Sequence, residues 1–459
     1  MCVNLCTRTV KIMTNFMTEY DLYCTQHGVP ERIDLMLCDI NAVLRGKWLP
    51  SSEVSKLLDN QVRIPLSTYA PNIFGFEIPE TGLGMIQGDP DGILKPILGT
   101  LKPVPWAKGN VAQLMVEMHE MNGEISELSP RLILQRIVDK FKNKGLNPVV
   151  ACELEFYIIN KRKNVSDPPT PPERTPDAQN YDLEVLSRSE EMLRAIQKAS
   201  KVLGLPIDSI IAEFGPGQFE INFHHTGDVL SAADTAVIFR RLVRGVADEY
   251  DMEATFMAKP YADHPGNGMH LHTSVLDNEG VNIFECSNEE IAPALRYAVA
   301  GVLNTMEDFQ AIFAPHMNSY RRFFPGGFAP CAPDWGLDNR NAGIRLPVTK
   351  GPASRLEHRI SGADINPYLA FAAILAGILH GIETEEEPPL PLEDANSSPA
   401  MPLTTNWNQS LDNFENSEFA KALLGENYCN IYSVLRRNEI SQITTEIPPI
   451  EYKTYLSRL

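Results

Sequence analysis

Two carboxylates two residues apart carry the first chemical signal in the chain, where residues 151–158 read ACELEFYI. The alternation is that of a half-buried β-strand, with Cys152, Leu154 and Phe156 on one face and Glu153 and Glu155 on the other. Like charges held that close repel, and burial worsens the repulsion. Either that face is wet or a cation stands before it. The pattern recurs. Glu213 and Glu220 fall on the arms of a candidate hairpin, DSIIAEF and QFEINFH, turned at Gly215-Pro216-Gly217. His270 and His272 sit two apart on GMHLHTSVL, and Glu357 and Arg359 two apart on SRLEHRIS. Taken singly, each pair is the ordinary pattern of a solvated strand face. Together, five carboxylates and a histidine, mostly oxygen donors, describe a site for hard divalent cations such as Mg²⁺ or Mn²⁺.

A second cluster is cationic. Arg321, Arg322, Arg340, Arg345, Arg355 and Arg359 fall within 39 residues, among Gly, Pro and aromatic residues. A basic surface patch is one reading. In an acidic chain, guanidinium groups beside a carboxylate wall point instead to phosphate or carboxylate clamping. The chain has no G-x-x-x-x-G-K-[ST], no dinucleotide-binding glycine fingerprint and no G-x-S-x-G, so metals and arginines rather than a Gly-rich loop must hold phosphate.

The elements that position these groups read as α+β. The 459 residues suffice for a large core and more than one domain, and the 43% apolar and 22% charged content is ordinary for a soluble globular protein. A net charge of −19 argues against a nucleic-acid partner and favours cationic small molecules. The eight cysteines are scattered with no C-x-x-C pair, which fits a reducing cytoplasm and argues against a zinc site or a disulfide framework. The longest apolar run, Leu369 to Leu379, is too short to span a bilayer and reads as a buried helix, so no membrane is expected. Residues 1–20 read as a loose tail, with Met13 or Met17 as alternative starts. Short strands (IDLMLCDINAVLRGKWL, NIFGFEI) and Gly- and Pro-rich turns follow to Trp106. Beyond them, PRLILQRIVDKFKNKG is a helix stopped at Gly145, NPVVACELEFYI a strand, and DPPTPPERTP a loop. LEVLSRSEEMLRAIQKASKVLGL is one amphipathic helix ended by Gly204, and further helices are expected over 231–249, 288–314 and 366–383.

Taken in order, ELEF, EFGPGQFEINF, GMHLHTS, NSYRRFFPG, NRNAGIRLP and RLEHRISGADINPYLAFAAILAGI resemble the glutamine synthetase superfamily over most of residues 125–385. The resemblance implies a small N-terminal β-grasp domain (21–123) before a catalytic domain (124–459) with a curved antiparallel sheet and flanking helices. It also implies a homo-oligomer, a dodecamer of two stacked hexamers with active sites between subunits. Carried over by position, one metal would meet Glu155, Glu213 and Glu220, and another Glu153, His270 and Glu357, with two or three Mg²⁺ or Mn²⁺ per site. ATP would meet His272, Ser274, Arg345 and Arg355. Arg340 would stand near the transferred phosphoryl group, and Gly266, Arg322 and Arg359 would hold glutamate. The implied chemistry phosphorylates the γ-carboxylate with ATP, after which an amine displaces phosphate. A segment such as NSYRRFFPGGFAP would exclude water in the interval.

The chain departs from ammonia-using glutamine synthetases at two carboxylates. Their flap carries a Pro-Gly-aromatic-Glu pattern where this chain reads PGGFAP, so Phe328 occupies the acidic position. Their N-terminal Asp-Gly-Ser-Ser motif corresponds to RIPLSTY, which has no aspartate. An aromatic ring there removes an ammonium anchor and offers an apolar or cation–π wall for a bulkier amine. This pattern is similar to the γ-glutamylpolyamine and γ-glutamylputrescine synthetases. The expectation is ATP-dependent ligation of glutamate to a di- or polyamine, through a γ-glutamyl phosphate, in amine catabolism. The alternatives are glutamine synthesis from ammonia, γ-glutamyl-monoamide synthesis, and a non-catalytic scaffold of the same fold.

Overall fold

In the computed structural model of the protein, residues 15–286, 290–324 and 327–459 are described. Most of the expected N-terminal tail, and Pro325 and Gly326 of the expected water-excluding segment, lie outside them. Two compact units emerge. One comprises the chain up to Leu37, Leu44–Leu66 and Pro90–Ser126; the other comprises Cys38–Val43, Ser67–Asp89 and Glu127–Leu459.

The first unit is built on a sheet of strands β1 (Arg32–Cys38), β2 (Leu44–Pro50), β3 (Arg63–Pro65), β4 (Asp91–Pro96), β5 (Lys102–Pro103) and β6 (Val111–His119). Their order is β2-β1-β6-β4-β3, with β5 also on β6. β1 and β6 run parallel, Leu35 opposite Leu114, and the N-terminal unit is rich in sheet, consistent with the fold class expected. A helix, Phe16–His27, starts at Asn15, whose side chain accepts from Thr18 N at 2.9 Å. The buried Glu19 carboxylate of that helix accepts from Gly99 N and Leu101 N. β4 and β6 lie where the sequence reading had turns or made no assignment. Conversely, NIFGFEI is not a strand. Asn72 Oδ1 accepts from Phe76 N at 2.9 Å, closing a local turn that competes with sheet pairing and leaves Ile73, Phe74 and Phe76 exposed.

The second unit carries the larger sheet, made of β7 (Asn147–Asn160), β8 (Ile207–Ala212), β9 (Gln218–Phe223), β10 (Met252–Thr255), β11 (Met269–Leu276), β12 (Trp335–Leu337), β13 (Ile344–Val348) and β14 (Arg355–His358). The order is β12-β13-β14-β11-β7-β9-β8, with β10 on β7, and all pairs are antiparallel except β12–β13. The single expected helix after the Pro-rich loop breaks at Ser189 into Leu183–Arg188 and Glu190–Leu203. The expected 288–314 helix is two, Pro293–Asn304 and Gln310–Phe313; Thr305 Oγ1 donates back to Gly301 O where the first one ends.

Among the described residues one helix, Pro367–Thr384, is long and apolar enough to cross a membrane. It is a core helix. Its buried face lies so close to the Pro293–Asn304 helix that a Cβ at Gly381 would stand 1.9 Å from the Tyr297 carbonyl oxygen. Four helices after residue 406, of which Glu426–Thr445 is the longest, complete the unit.

Candidate active site

Strand register assembles the acidic wall. β7 alternates buried and half-buried positions, which puts Glu153 and Glu155 on one face. Across β11, Glu153 stands opposite His270; across β9, Glu155 stands opposite Glu220. His272 of β11 is opposite Glu357 of β14, and Glu357 is in turn opposite Arg345 of β13. Glu213 follows β8 directly, and its backbone N donates to Gln218 O across the hairpin. The four segments that looked alike in sequence are therefore neighbouring rungs of one sheet.

The contacts are close. His270 Nδ1 lies 3.0 Å from Glu153 and 3.9 Å from Glu357, and its Nε2 lies 3.9 Å from Glu155. His272 Nε2 lies 3.0 Å from Glu153, while Arg355 Nε donates to its Nδ1 at 3.3 Å. That donor occupies Nδ1 and leaves Nε2 to face the Glu153 carboxylate. Glu357, fully buried, accepts from Arg359 Nη1 on Oε1 and from Arg345 Nη1, at 2.9 Å, on Oε2.

Two carboxyls have no such cation. Burial first, then the nearby Glu155 and Glu153 charges, push the Glu213 carboxyl up to about 8. The same causes push Glu220, 5% exposed, well above the carboxylate range. Burial also acts on Glu153, but its hydrogen bonds to His270 and His272 outweigh it and hold the carboxyl well below its ordinary value. Glu357 likewise resists burial through the facing charges of His270, His272 and Arg359.

This donor set fits divalent cations. Glu153, Glu220 and His270 place ligand atoms within 4.8 Å of one another, as do Glu153, His272 and Glu357. His272, expected at the phosphates, thus also falls in a donor set. The crowded, uncompensated carboxyls Glu213 and Glu220 are what a bound cation would relieve.

The wall faces two cavities. One, about 760 Å³, is lined by Glu153, His272, Ser274 and Arg355, together with Asn222 and His224. The other, about 840 Å³, is lined by Glu155, Glu213, Glu220, His270, Gly266, Arg322, Arg340, Arg359 and Phe328. Arg322 and Arg359 are nearly buried, and the Nε of each has no hydrogen-bond partner among the described residues. Gly266 must be glycine, since a Cβ there would stand 2.4 Å from Ala258 O and 2.8 Å from Arg322 Cγ. Phe328 is exposed and packs on Phe214, ring centroids 4.8 Å apart. Arg345 lines neither cavity; it is tied to Glu357 and to Asp338. Sequence reasoning missed Gln218 and Asn222. Gln218 Nε2 donates to Gly266 O and to Glu155, and Asn222 Nδ2 donates to Glu220. They flank Glu220 at two-residue spacing, so the periodicity that singled out Glu153 and Glu155 also marks them.

Residues 127–455 match the glutamine synthetase catalytic domain. The chain belongs to the glutamine synthetase family. It is 35% identical to gamma-glutamylputrescine synthetase PuuA of Escherichia coli (strain K12) over 96% of this chain and 95% of that protein. It is 31% identical to a glutamate–isopropylamine ligase of a Pseudomonas species, over 95% and 96% respectively. Among solved structures, a GmaS/ADP complex superposes with a TM-score of 0.84 at 27% identity, covering 96% of this chain and 100% of that one. The protein is thus an ATP-dependent ligase of glutamate and an amine that works with divalent metal ions.

Proposed function

We propose that the enzyme joins the γ-carboxylate of glutamate to a primary amine of the di- or polyamine class, through a γ-glutamyl phosphate, as an entry step into amine breakdown. The observation that carries this reading is the Phe214–Phe328 ring pair beside the cavity lined by Arg322, Arg340 and Arg359. An aromatic wall suits methylenes and a cation–π contact; it does not replace the carboxylate that an ammonium ion requires. The likeness to PuuA, a gamma-glutamylputrescine synthetase, supports the same class.

In this reading Glu153, Glu155, Glu213, Glu220, Glu357 and His270 hold two or three Mg²⁺ or Mn²⁺. When bound, the cations offset the charge of the wall and of the phosphate oxygens. ATP occupies the cavity of His272, Ser274 and Arg355, and Arg345 would reach its phosphates by releasing Asp338 or Glu357. Arg322 and Arg359 hold glutamate by forked hydrogen bonds over Gly266, whose missing Cβ leaves room for the backbone to approach. The γ-carboxylate oxygen attacks the terminal phosphorus of ATP, ADP leaves, and Arg340 stabilises charge on the transferred group. The amine, having lost a proton, then attacks the acyl carbon and phosphate departs.

The same reading makes 21–123 a β-grasp domain that serves the catalytic region 124–459 of a neighbouring subunit in a cytoplasmic dodecamer of stacked hexamers. The exposed Ile450 and Leu456 near the C-terminus support association, and the free thiols of Cys24, Cys38, Cys152, Cys331 and Cys429 support a reducing compartment. The test is kcat/KM for ammonia, putrescine, spermidine, spermine and isopropylamine under saturating ATP and glutamate, by phosphate release. Ammonia as the best substrate returns the enzyme to glutamine synthesis. Isopropylamine as the best keeps the ligase and discards the polyamine.

A further inference from the structure

The cavity walled by Phe214 and Phe328 has four carboxylates in its lining. Three, Glu155, Glu213 and Glu220, belong to the metal wall. The fourth, Asp263, does not. It lies on the loop that follows β10, three residues before Gly266, and is exposed. Among the described residues its side chain makes no hydrogen bond and no ion pair. The nearby cation is Lys259, which Asp263 stabilises only through space, against a larger opposing effect of burial. The Lys259 ammonium is committed elsewhere: it donates to the His264 carbonyl and lies 5.2 Å from the centre of the Phe324 ring.

A lone carboxylate lining the same cavity as an aromatic wall, where the reading above puts the glutamate and phosphoryl groups, is complementary to one kind of amine. Its reacting nitrogen must be neutral and its far end charged, with methylenes between them. We propose that Asp263 is the specificity-determining residue that receives the distal ammonium of an α,ω-diamine or polyamine, while Phe214 and Phe328 cover its methylenes. This rests on the amine-ligase reading above. It assigns the discrimination between diamine and monoamine to one side chain outside the metal wall.

The experiment compares putrescine with butylamine, which has the same carbon count and lacks the second ammonium. Both are measured with the full-length enzyme, with Asp263→Asn and with Asp263→Glu. Asp263→Asn lowers the putrescine-to-butylamine ratio of kcat/KM by roughly fivefold, the effect of one partly exposed ion pair. Asp263→Glu restores most of it. An equal fall for both amines makes Asp263 a counter-charge of Lys259 and overturns the assignment. A rise in the KM for glutamate with either amine places it at the glutamate α-ammonium and does the same. If the unaltered enzyme prefers putrescine and the ratio is unmoved in Asp263→Asn, Asp263 alone fails. If the unaltered enzyme prefers ammonia or butylamine, the polyamine reading fails with it.

Discussion

Glu213→Gln should make the metal-free protein more stable while removing a metal ligand. The folded carboxyl is pushed up to about 8 by burial and by Glu155, from an ordinary 4.5. Below pH ~4.5 the group is protonated in both states and contributes nothing. Between ~4.5 and ~8 the unfolded chain ionises and the folded one resists, so stability falls as pH rises; above ~8 the full penalty persists. At ~1.4 kcal/mol per pH unit of separation, the penalty is about 1 kcal/mol at pH 5, about 3 at pH 7 and approaches 5 above pH 8. Glutamine keeps an oxygen for the Phe214 backbone N–H, which Glu213 now accepts, and sheds the charge. In chelator, the melting midpoint of the variant should exceed that of the parent by on the order of 5 °C at pH 8.5 and by far less at pH 5. Saturating Mg²⁺ should invert the order at pH 8.5, because binding to the folded state adds stability that the variant cannot gain in full. Differential scanning calorimetry with and without Mg²⁺ at the two pH values measures all four quantities. A gain of equal size at both pH values, or none, would refute charge crowding at the wall.

Other perturbations follow from the same contacts. Glu153→Ala should abolish turnover yet leave the fold intact, whereas Glu357→Ala should also cost about 3–5 kcal/mol, because Arg345 and Arg359 lose a buried partner; urea titration separates the two. Arg359→Lys should fail nearly as badly as Arg359→Ala in steady-state turnover, since an ammonium cannot reproduce a planar fork; retention of most activity would reduce Arg359 to a counter-charge. Phe328→Glu should shift kcat/KM towards ammonia and away from putrescine, by exchanging a ring on Phe214 for a carboxylate; an unaltered preference would detach Phe328 from the amine.

How far the site could be read from sequence depended on which interactions are local. Glu153 and Glu155 were legible because a strand's period of two is a property of contiguous residues. So were His270 and His272, and the hairpin that brings Glu213 towards Glu220. The register was not. That Glu153 stands opposite His270 on β11, with His272 equally within reach of its carboxylate, depends on pairing residues 117 positions apart, which no local pattern encodes. Asp263 carried no signal, since it is an aspartate at a bend and has no periodic neighbour. In the first unit, β6 was passed over because VAQLMVEMH, mostly buried, is a nearly continuous apolar run without the alternation that marks a half-buried strand. NIFGFEI was misread for the opposite reason: its composition suits a strand, but Asn72 closes a turn on itself.

The wall also divides by charge in a way that spacing alone would not suggest. Glu357 and Glu220 are both nearly inaccessible, 0% and 5% exposed, yet their carboxyls move in opposite directions. Burial pushes both up; the difference lies in the partners. Glu357 is gripped by two guanidinium groups and faces two imidazoles, and Glu153 by the same two imidazoles. Glu220 meets only the Asn222 amide, and Glu213 only a backbone N–H. The end of the wall formed by Glu153 and Glu357 therefore carries its own compensating cations, which a metal ion must displace or share. The Glu213–Glu220 end has no hydrogen-bonded cation among the described residues, only the Arg340 charge acting through space on Glu213, and a metal ion there must instead displace protons. One sheet face thus offers two chemically different settings for a divalent ion. The proton-linked setting opens onto the cavity where Asp263 and the aromatic pair stand, so metal occupancy and amine binding act on a single electrostatic field.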